Sequence, residues 1–191
     1  MKKILLLLTI VSFATACAPT IDNKVEESSS NKEQEKMQTS LEKQAKEADK
    51  KRSYDFTLND LNGEAYTLAD QKGKNVYVKF WASWCPVCLA GLEDLNTLAG
   101  QENDFEVVTI VSPNHNGEKN KEEFMAWFNS LEYDNMTVLL DETGEVFANY
   151  GVRSMPTNAI IDSHGTPVKI IPGEIRKDTL TPIFEALEKG N

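Results

Sequence analysis

The chain has 191 residues, 40% of them hydrophobic and 26% charged, enough for one globular domain with a real core and short for two. Its formal charge of −10 is unevenly spread: +2 over residues 1–16, 0 over 17–52, and −12 over 53–191, where 22 acidic residues face 10 basic ones. That balance excludes nucleic acid and anionic lipid as partners of the domain.

Residues 1–16 read as an export signal, with Lys2 and Lys3 ahead of an apolar run from Ile4 to Ala14 and small residues before Cys17. The run is shorter than the roughly 20 apolar residues that span a bilayer, so the expectation is a cleaved leader. Ala14-Thr15-Ala16-Cys17 resembles a bacterial lipobox, with Ala14 where leucine is usual. This implies acylation of Cys17 and a lipid anchor on the outer face of the cell membrane. The alternative is an ordinary signal peptidase site, with Cys17 discarded or left in the tail. Residues 17–52 carry eight acidic and eight basic residues, no aromatic and no glycine. Such a segment cannot bury enough apolar surface to offset chain entropy, and it reads as a solvated, lipid-anchored tether with a flexible reach of roughly 30 Å. Met37, Leu41, Ala45 and Ala48 fall at helical spacing and allow partial helix there.

Residues 53–191 form the domain. Tyr54 to Leu58 and Ala65 to Leu68 flank the turn signal Asn62-Gly63 and predict a short hairpin. Val76 to Trp81 is a strand rich in β-branched and aromatic residues that runs into Cys85-Pro86-Val87-Cys88. From Pro86 onward, Leu89, Leu92, Leu95, Leu98 and Ala99 recur at three and four residues, which predicts one amphipathic helix with proline in its first turn. Phe105 to Val111 reads as a buried strand, Lys121 to Leu131 as a helix and Met136 to Leu140 as a strand. A short helix over Glu145 to Tyr150 follows. Thr157 to Asp162 and Pro167 to Ile171 then form a hairpin about Ser163-His164-Gly165, and Lys177 to Glu188 is a closing helix. Strands alternating with helices indicate an α/β layer structure, and the terminal hairpins make its sheet mixed.

Two cysteines separated by two residues at a helix start suit reversible disulfide exchange. Cys85 sits where unpaired backbone N–H groups and the helix dipole favour a thiolate, and Cys88 lies one turn away. Cys85 would attack a substrate disulfide, and Cys88 would resolve the mixed disulfide that results. A zinc site is the competing chemistry, but zinc takes about four ligands. The domain offers only these two thiols, and His115 and His164 fall in loops. No metal is expected. An exported chain meets the oxidising compartment in which disulfide chemistry belongs.

Tyr54-Asp55-Phe56-Thr57-Leu58, Asn62-Gly63, Gly73-Lys74 and Val78-Lys79-Phe80-Trp81-Ala82-Ser83-Trp84-Cys85 resemble the ResA/TlpA-type redoxins of bacterial envelopes, and so does Tyr150-Gly151-Val152-Arg153-Ser154-Met155-Pro156-Thr157. The resemblance covers about residues 53–190. It implies a thioredoxin fold with a mixed central β-sheet flanked by helices, an N-terminal β-hairpin, and a central insertion near residues 113–140. The implied activity is reduction, or sometimes oxidation, of cysteine pairs in other exported proteins, with no cofactor beyond the Cys85–Cys88 disulfide. The implied partners are exported clients, of apocytochrome c or methionine sulfoxide reductase type, and an integral-membrane thiol carrier as electron donor. By the same resemblance Pro156 is cis and faces the cysteines, Met155 offers backbone hydrogen bonds to an extended substrate strand, and Trp84 belongs to the rim around Cys85. Trp81 is assigned to the core.

Lys79 departs from the thioredoxin pattern, which has a buried acid six residues before the first cysteine. Two readings are open: a buried Lys79 beside Cys88 that modulates its proton chemistry, or a lysine that snorkels to the sheet edge. Glu93 and Asp94 read as a solvated face, and Asn114, Asn116 and Gly117 as a loop. Peroxidase chemistry is disfavoured, since Ala82 and Val78 stand where peroxiredoxins carry threonine and proline. A Sco-type copper chaperone is disfavoured by the two-residue gap between the cysteines.

Overall fold

The structure, a computed structural model, describes residues 37–40 and 54–189. Residues 37–40 are helical and exposed. The expected signal over 1–16, Cys17 and the rest of the tether lie outside the described residues.

The fold resides in the unit Lys50–Asn191. Its strands are β1 (Thr57–Asp60), β2 (Ala65–Thr67), β3 (Asn75–Phe80), β4 (Phe105–Val111), β5 (Thr137–Leu140), β6 (Thr157–Ile161) and β7 (Pro167–Pro172). They form one mixed sheet in the order β2-β1-β5-β4-β3-β6-β7. The β3, β4 and β5 strands run parallel, and the hairpin strands and β6 pair antiparallel. Among the described residues, five α-helices and a 3-10 turn over Leu68–Gln71 complete it: α1 (Pro86–Ala90), α2 (Leu92–Ala99), α3 (Lys121–Asn129), α4 (Glu145–Asn149) and α5 (Lys177–Lys189).

All six residues of β3 are buried, as expected of a central strand covered on both faces. The period of two divides them between two cores. Tyr77, followed by Trp81, packs with Cys88, Leu92, Leu95, Phe124 and Phe184, while Val76, Val78 and Phe80 pack with Phe56, Phe147 and Tyr150. Lys79 falls between Tyr77 and Trp81 in the strand and therefore on the face that carries Cys88. Lys79 pairs with Thr109 of β4 on one side and with Asn158 of β6 on the other, so it lies mid-sheet. The snorkelling reading is thereby corrected.

The expected N-terminal hairpin forms, with Thr57 opposite Thr67. The Asp60 carboxylate accepts the N–H groups of Asn62 and Glu64 at 2.8 Å each, which closes its turn. The central insertion supplies α3 and β5, and β5 sits between β4 and the hairpin. Through α3 the insertion also delivers Phe124, Phe128 and Trp127 against Trp81, at ring-centroid separations of 5.8 to 6.2 Å.

The helix after Cys85 differs from expectation. It breaks at Gly91, whose N–H caps α1 by donating to the carbonyls of Cys88 and Leu89. The break turns Leu89 outward to 38% exposure, off the apolar face that Leu92, Leu95 and Leu98 continue.

Asn158 fastens the far end of the sheet. Its side-chain amide donates to the carbonyls of Ile171 (3.1 Å) and Gly173 (2.6 Å), and its side-chain oxygen accepts the Tyr77 hydroxyl at 2.7 Å. Burial holds the Tyr77 phenol well above the ordinary tyrosine range, and the nearby Glu174 carboxylate adds to the effect. Since the folded-state value is raised, the unfolded chain releases this proton first. The stabilisation is whole below the unfolded value of about 10 and is lost as pH climbs above it. Tyr77→Phe should therefore flatten the fall of urea-unfolding free energy above pH 10, by as much as about 1.4 kcal/mol per pH unit. Unfolding curves of both proteins between about pH 9 and 11 check this.

Candidate active site

β3 ends where Trp81 donates its N–H to the Ile110 carbonyl at 3.1 Å, and the chain turns out of the sheet through Ala82, Ser83 and Trp84. Cys85 closes that turn, donating its N–H to the Ala82 carbonyl at 3.2 Å, and is itself the N-cap of α1. Its backbone is extended (φ −86°, ψ 109°), and Pro86 follows at the first helical position, where its missing N–H costs nothing. The Cys88 N–H donates to Cys85 Sγ at 3.2 Å, so the sulfur does the work that a serine or aspartate oxygen does at most helix starts. Cys85 and Cys88 are joined as a disulfide with Cα atoms 5.2 Å apart. Cys88 is fully buried and Cys85 nearly so, at 4% exposure, next to an apolar rim of Trp84 and Val87, 49% and 54% exposed.

The Met155–Pro156 peptide bond is cis, and the Met155 carbonyl oxygen lies 3.4 Å from Cys85 Sγ. The loop before β6 is fixed by the Thr157 hydroxyl donating to Ser154 O at 2.7 Å, and by the Gly173 N–H donating to Pro156 O at 2.8 Å. Trp84, Met155 and Pro156 thus gather about Cys85.

Two carboxylates that the sequence reading did not single out complete the site. Glu118, buried in the insertion loop, accepts the Ser83 N–H and the Ser83 hydroxyl, both at 2.5 Å, and the Lys119 N–H at 2.7 Å. Lys119 returns to Ser83 Oγ at 2.8 Å and lies over the Trp127 ring. This network grips the chain two residues before Cys85. The loop tip turns through Asn114, Asn116 and Gly117, all at positive φ. A Cβ on Gly117 would stand 3.6 Å from Trp84 Nε1, so the tip borders the rim.

The second carboxylate is Glu174, just past β7. Lys79, 1% exposed, donates to Glu174 Oε1 at 2.6 Å, and 28% of the Glu174 side chain remains accessible. The pair forms part of the floor of a cavity of about 730 Å³, which Tyr77, Pro86, Val87 and Gly91 also line. Glu93 and Asp94 are exposed on α2, as expected. His115 approaches the Glu142 carbonyl at 3.1 Å, and His164 is exposed in the β6–β7 turn. Among the described residues no group of three or more His, Cys, Asp or Glu side chains is arranged to hold a metal ion.

A disulfide at a helix start, opposite a cis-proline and above a mixed sheet, defines a thiol-disulfide oxidoreductase of the thioredoxin fold. The chain belongs to the Redoxin family, whose model matches residues 46–187. It is 32% identical over 138 residues to the thiol-disulfide oxidoreductase ResA of Geobacillus thermodenitrificans, covering 70% of this chain and 75% of that one. Among solved structures it is similar to the pneumococcal exposed lipoprotein thioredoxin Etrx1 of Streptococcus pneumoniae, at TM-score 0.65 and 46% identity, covering 71% of this chain and 98% of that one. It is also similar to the N-terminal domain of PilB from Neisseria gonorrhoeae, at TM-score 0.60 and 28% identity over 63% of this chain and 82% of that one. No helix among the described residues is long and apolar enough to cross a membrane.

Glu118→Ala leaves the Ser83 and Lys119 N–H groups without their acceptor in a buried place. Stability should drop by about 2–3 kcal/mol in urea titrations, with the disulfide intact. Thiol-disulfide exchange turnover should fall as well, because the segment entering Cys85 loses its anchor.

Proposed function

We propose that this protein is an extracytoplasmic reductant that opens disulfides in exported proteins, with Cys85 as the attacking thiol and Cys88 as the resolving one. The observation that carries the assignment is the asymmetry of the pair. Cys85 Sγ accepts the Cys88 N–H at the start of α1, below an exposed rim, whereas Cys88 is sealed in the core. On reduction, that N–H and the helix start favour a thiolate at Cys85. A client strand laid beside Met155 and Pro156 would bring its sulfur to Cys85. The exposed apolar surface of Trp84 and Val87 would cover the sulfur during exchange. Attack forms a Cys85–client disulfide. Cys88 then displaces the client thiolate, and two electrons pass from the pair to the client.

The setting follows from the leader-like residues 1–16 and the lipobox-like Ala14 to Cys17, and it is supported by the name of the pneumococcal relative, an exposed lipoprotein. The protein works on the outer face of the cell membrane, anchored through Cys17, with residues 17–52 as its tether. An integral-membrane thiol carrier recharges it. Its clients are apocytochrome c cysteines or the catalytic disulfide of an extracytoplasmic methionine sulfoxide reductase. No cofactor takes part, because the cysteine pair itself stores the electrons.

Cys88→Ala is expected to hold clients as mixed disulfides through Cys85, detected by non-reducing gels and mass spectrometry of envelope fractions, while Cys85→Ala captures none. Equal behaviour of the two variants would overturn the role assignment. Equilibration with dithiothreitol is expected to place the potential near −270 mV. A value near −120 mV would make the protein a disulfide-forming oxidase instead.

A further inference from the structure

We propose that the tip of the insertion loop, Asn116 and Gly117, is a second client contact that works with Trp84. Its hydrogen-bond donors take main-chain carbonyls of the client strand, so that peptide disulfides are preferred over small ones. The inference rests on the dithiol-exchange reading above and names residues that choose its substrates. Exchange alone needs only a sulfur within reach of Cys85, and selectivity has to come from groups that meet the client beyond that sulfur.

The sheet places such groups on two flanks. Phe80, the last residue of β3, pairs with Ile110 of β4 on one side and with Thr157 of β6 on the other. The insertion loop leaves β4 just beyond that point, and the Met155–Pro156 peptide enters β6 just before it. The two loops therefore rise on opposite sides of the chain that runs from β3 to Cys85. On the β6 side, the Met155 carbonyl oxygen lies 3.4 Å from Cys85 Sγ. On the β4 side, Glu118 ties the root of the loop to Ser83, and the tip reaches Trp84, the residue before Cys85. A Cβ on Gly117 would stand 3.6 Å from the Trp84 indole nitrogen, so glycine keeps that N–H uncovered.

The tip is shaped before a client arrives. Glu118 donates its N–H to the His115 carbonyl at 2.9 Å across Asn116 and Gly117, whose φ values of 51° and 80° are the two positive angles such a tight turn requires. Below it, the Asn114 N–H donates to the Lys119 carbonyl at 3.0 Å and the His115 N–H to the Ser112 carbonyl at 3.2 Å. A client meeting a tip already held in this way has little loop entropy to remove. What the turn presents outward is polar and uncharged. Asn114, Asn116 and Gly117 are exposed, and among the described residues neither the Gly117 N–H nor the Trp84 indole N–H has a partner. Neutral donors, on a domain whose residues 53–191 carry a net charge of −12, suit a neutral acceptor rather than a carboxylate. The main-chain carbonyl of an extended strand is the neutral acceptor that every peptide client carries and that a small disulfide lacks.

The test measures the second-order rates at which the reduced full-length protein exchanges with two disulfides, a short cyclic peptide closed by one disulfide and hydroxyethyl disulfide. Wild type is compared with Asn116→Gly, which removes the side-chain amide, and Gly117→Asn, which covers the Trp84 donor. Glycine and asparagine both accept positive φ, so the turn is kept. The peptide rate is expected to fall about five- to tenfold in each variant, the loss of one or two hydrogen bonds, while the rate with hydroxyethyl disulfide stays at the wild-type value. A second measurement leaves the loop intact. In Cys88→Ala, the mixed disulfide with the peptide should shift the Gly117 amide and Trp84 indole proton resonances further than the mixed disulfide with hydroxyethyl thiol does. Unchanged peptide rates in both variants, or equal shifts from the two adducts, would overturn the contact. So would an equal fall with both disulfides, which would mean that the tip acts only through its hold on Ser83. Failure of the wild-type protein to exchange with either disulfide would instead overturn the dithiol-exchange reading beneath it.

Discussion

A charged amine in the middle of a two-faced, fully buried strand must be given a counter-charge, and much of this structure follows from where that counter-charge comes from. Lys79 stands mid-sheet between β4 and β6, where neither cross-strand partner is an acid: they are Thr109 and Asn158. The carboxylate arrives from beyond the sheet, from Glu174 at the end of β7. To bring it in, β7 has to end at a fixed place. Asn158 supplies that by holding the Ile171 and Gly173 carbonyls from the next strand. To receive it, the helix above has to give way, and Gly91 is the residue without a side chain at the contact. An unpaired buried ammonium would be strongly destabilising, on the order of 3–5 kcal/mol, so these features stand or fall as a unit.

The same constraint ties stability to chemistry. Evolution could fill the Lys79 position with an apolar side chain at little or no loss of stability, since well-packed hydrophobic replacements of buried ion pairs are often neutral or better. What the ion pair does provide is a tie between the strand that leads into Cys85 and the chain leaving β7. On the same face of the strand, Tyr77, Trp81 and Leu92 share the apolar cluster that holds Cys88, and the cavity beside the ion pair reaches Pro86 and Val87.

Much of the scaffold was legible in the sequence, because its signals are local. The all-buried β3, the Asn62-Gly63 hairpin turn and the proline at the head of α1 each announce themselves within a few residues, and each forms where expected. The cysteine pair was legible for the same reason. The helix break at Gly91 was hidden, since Leu89 keeps the apolar period across it, and only the fold shows that a side chain there would meet the Glu174 carboxylate. Glu174 and Glu118 could not be read at all. They lie 95 and 35 residues from Lys79 and Ser83, their partners, and on a chain with 30 acidic residues nothing local distinguishes them. One cue did exist: a lysine within a strand of otherwise core-type residues predicts an acid somewhere in the fold, although not its number.

Glu118 and Glu174 approach the active-site turn from opposite sides of the chain order, one from the insertion and one from the last hairpin, and they do different work. Glu118 is spent on the turn: two backbone N–H groups and the Ser83 hydroxyl converge on it, which fixes the path into Cys85. Glu174 pairs with Lys79 and stays partly open to the cavity. The division follows from geometry. A carboxylate that gathers short hydrogen bonds from one turn holds that turn, whereas Glu174, held by a single ammonium and packed on Gly91, ties the end of β7 to the central strand and to the break in the active-site helix.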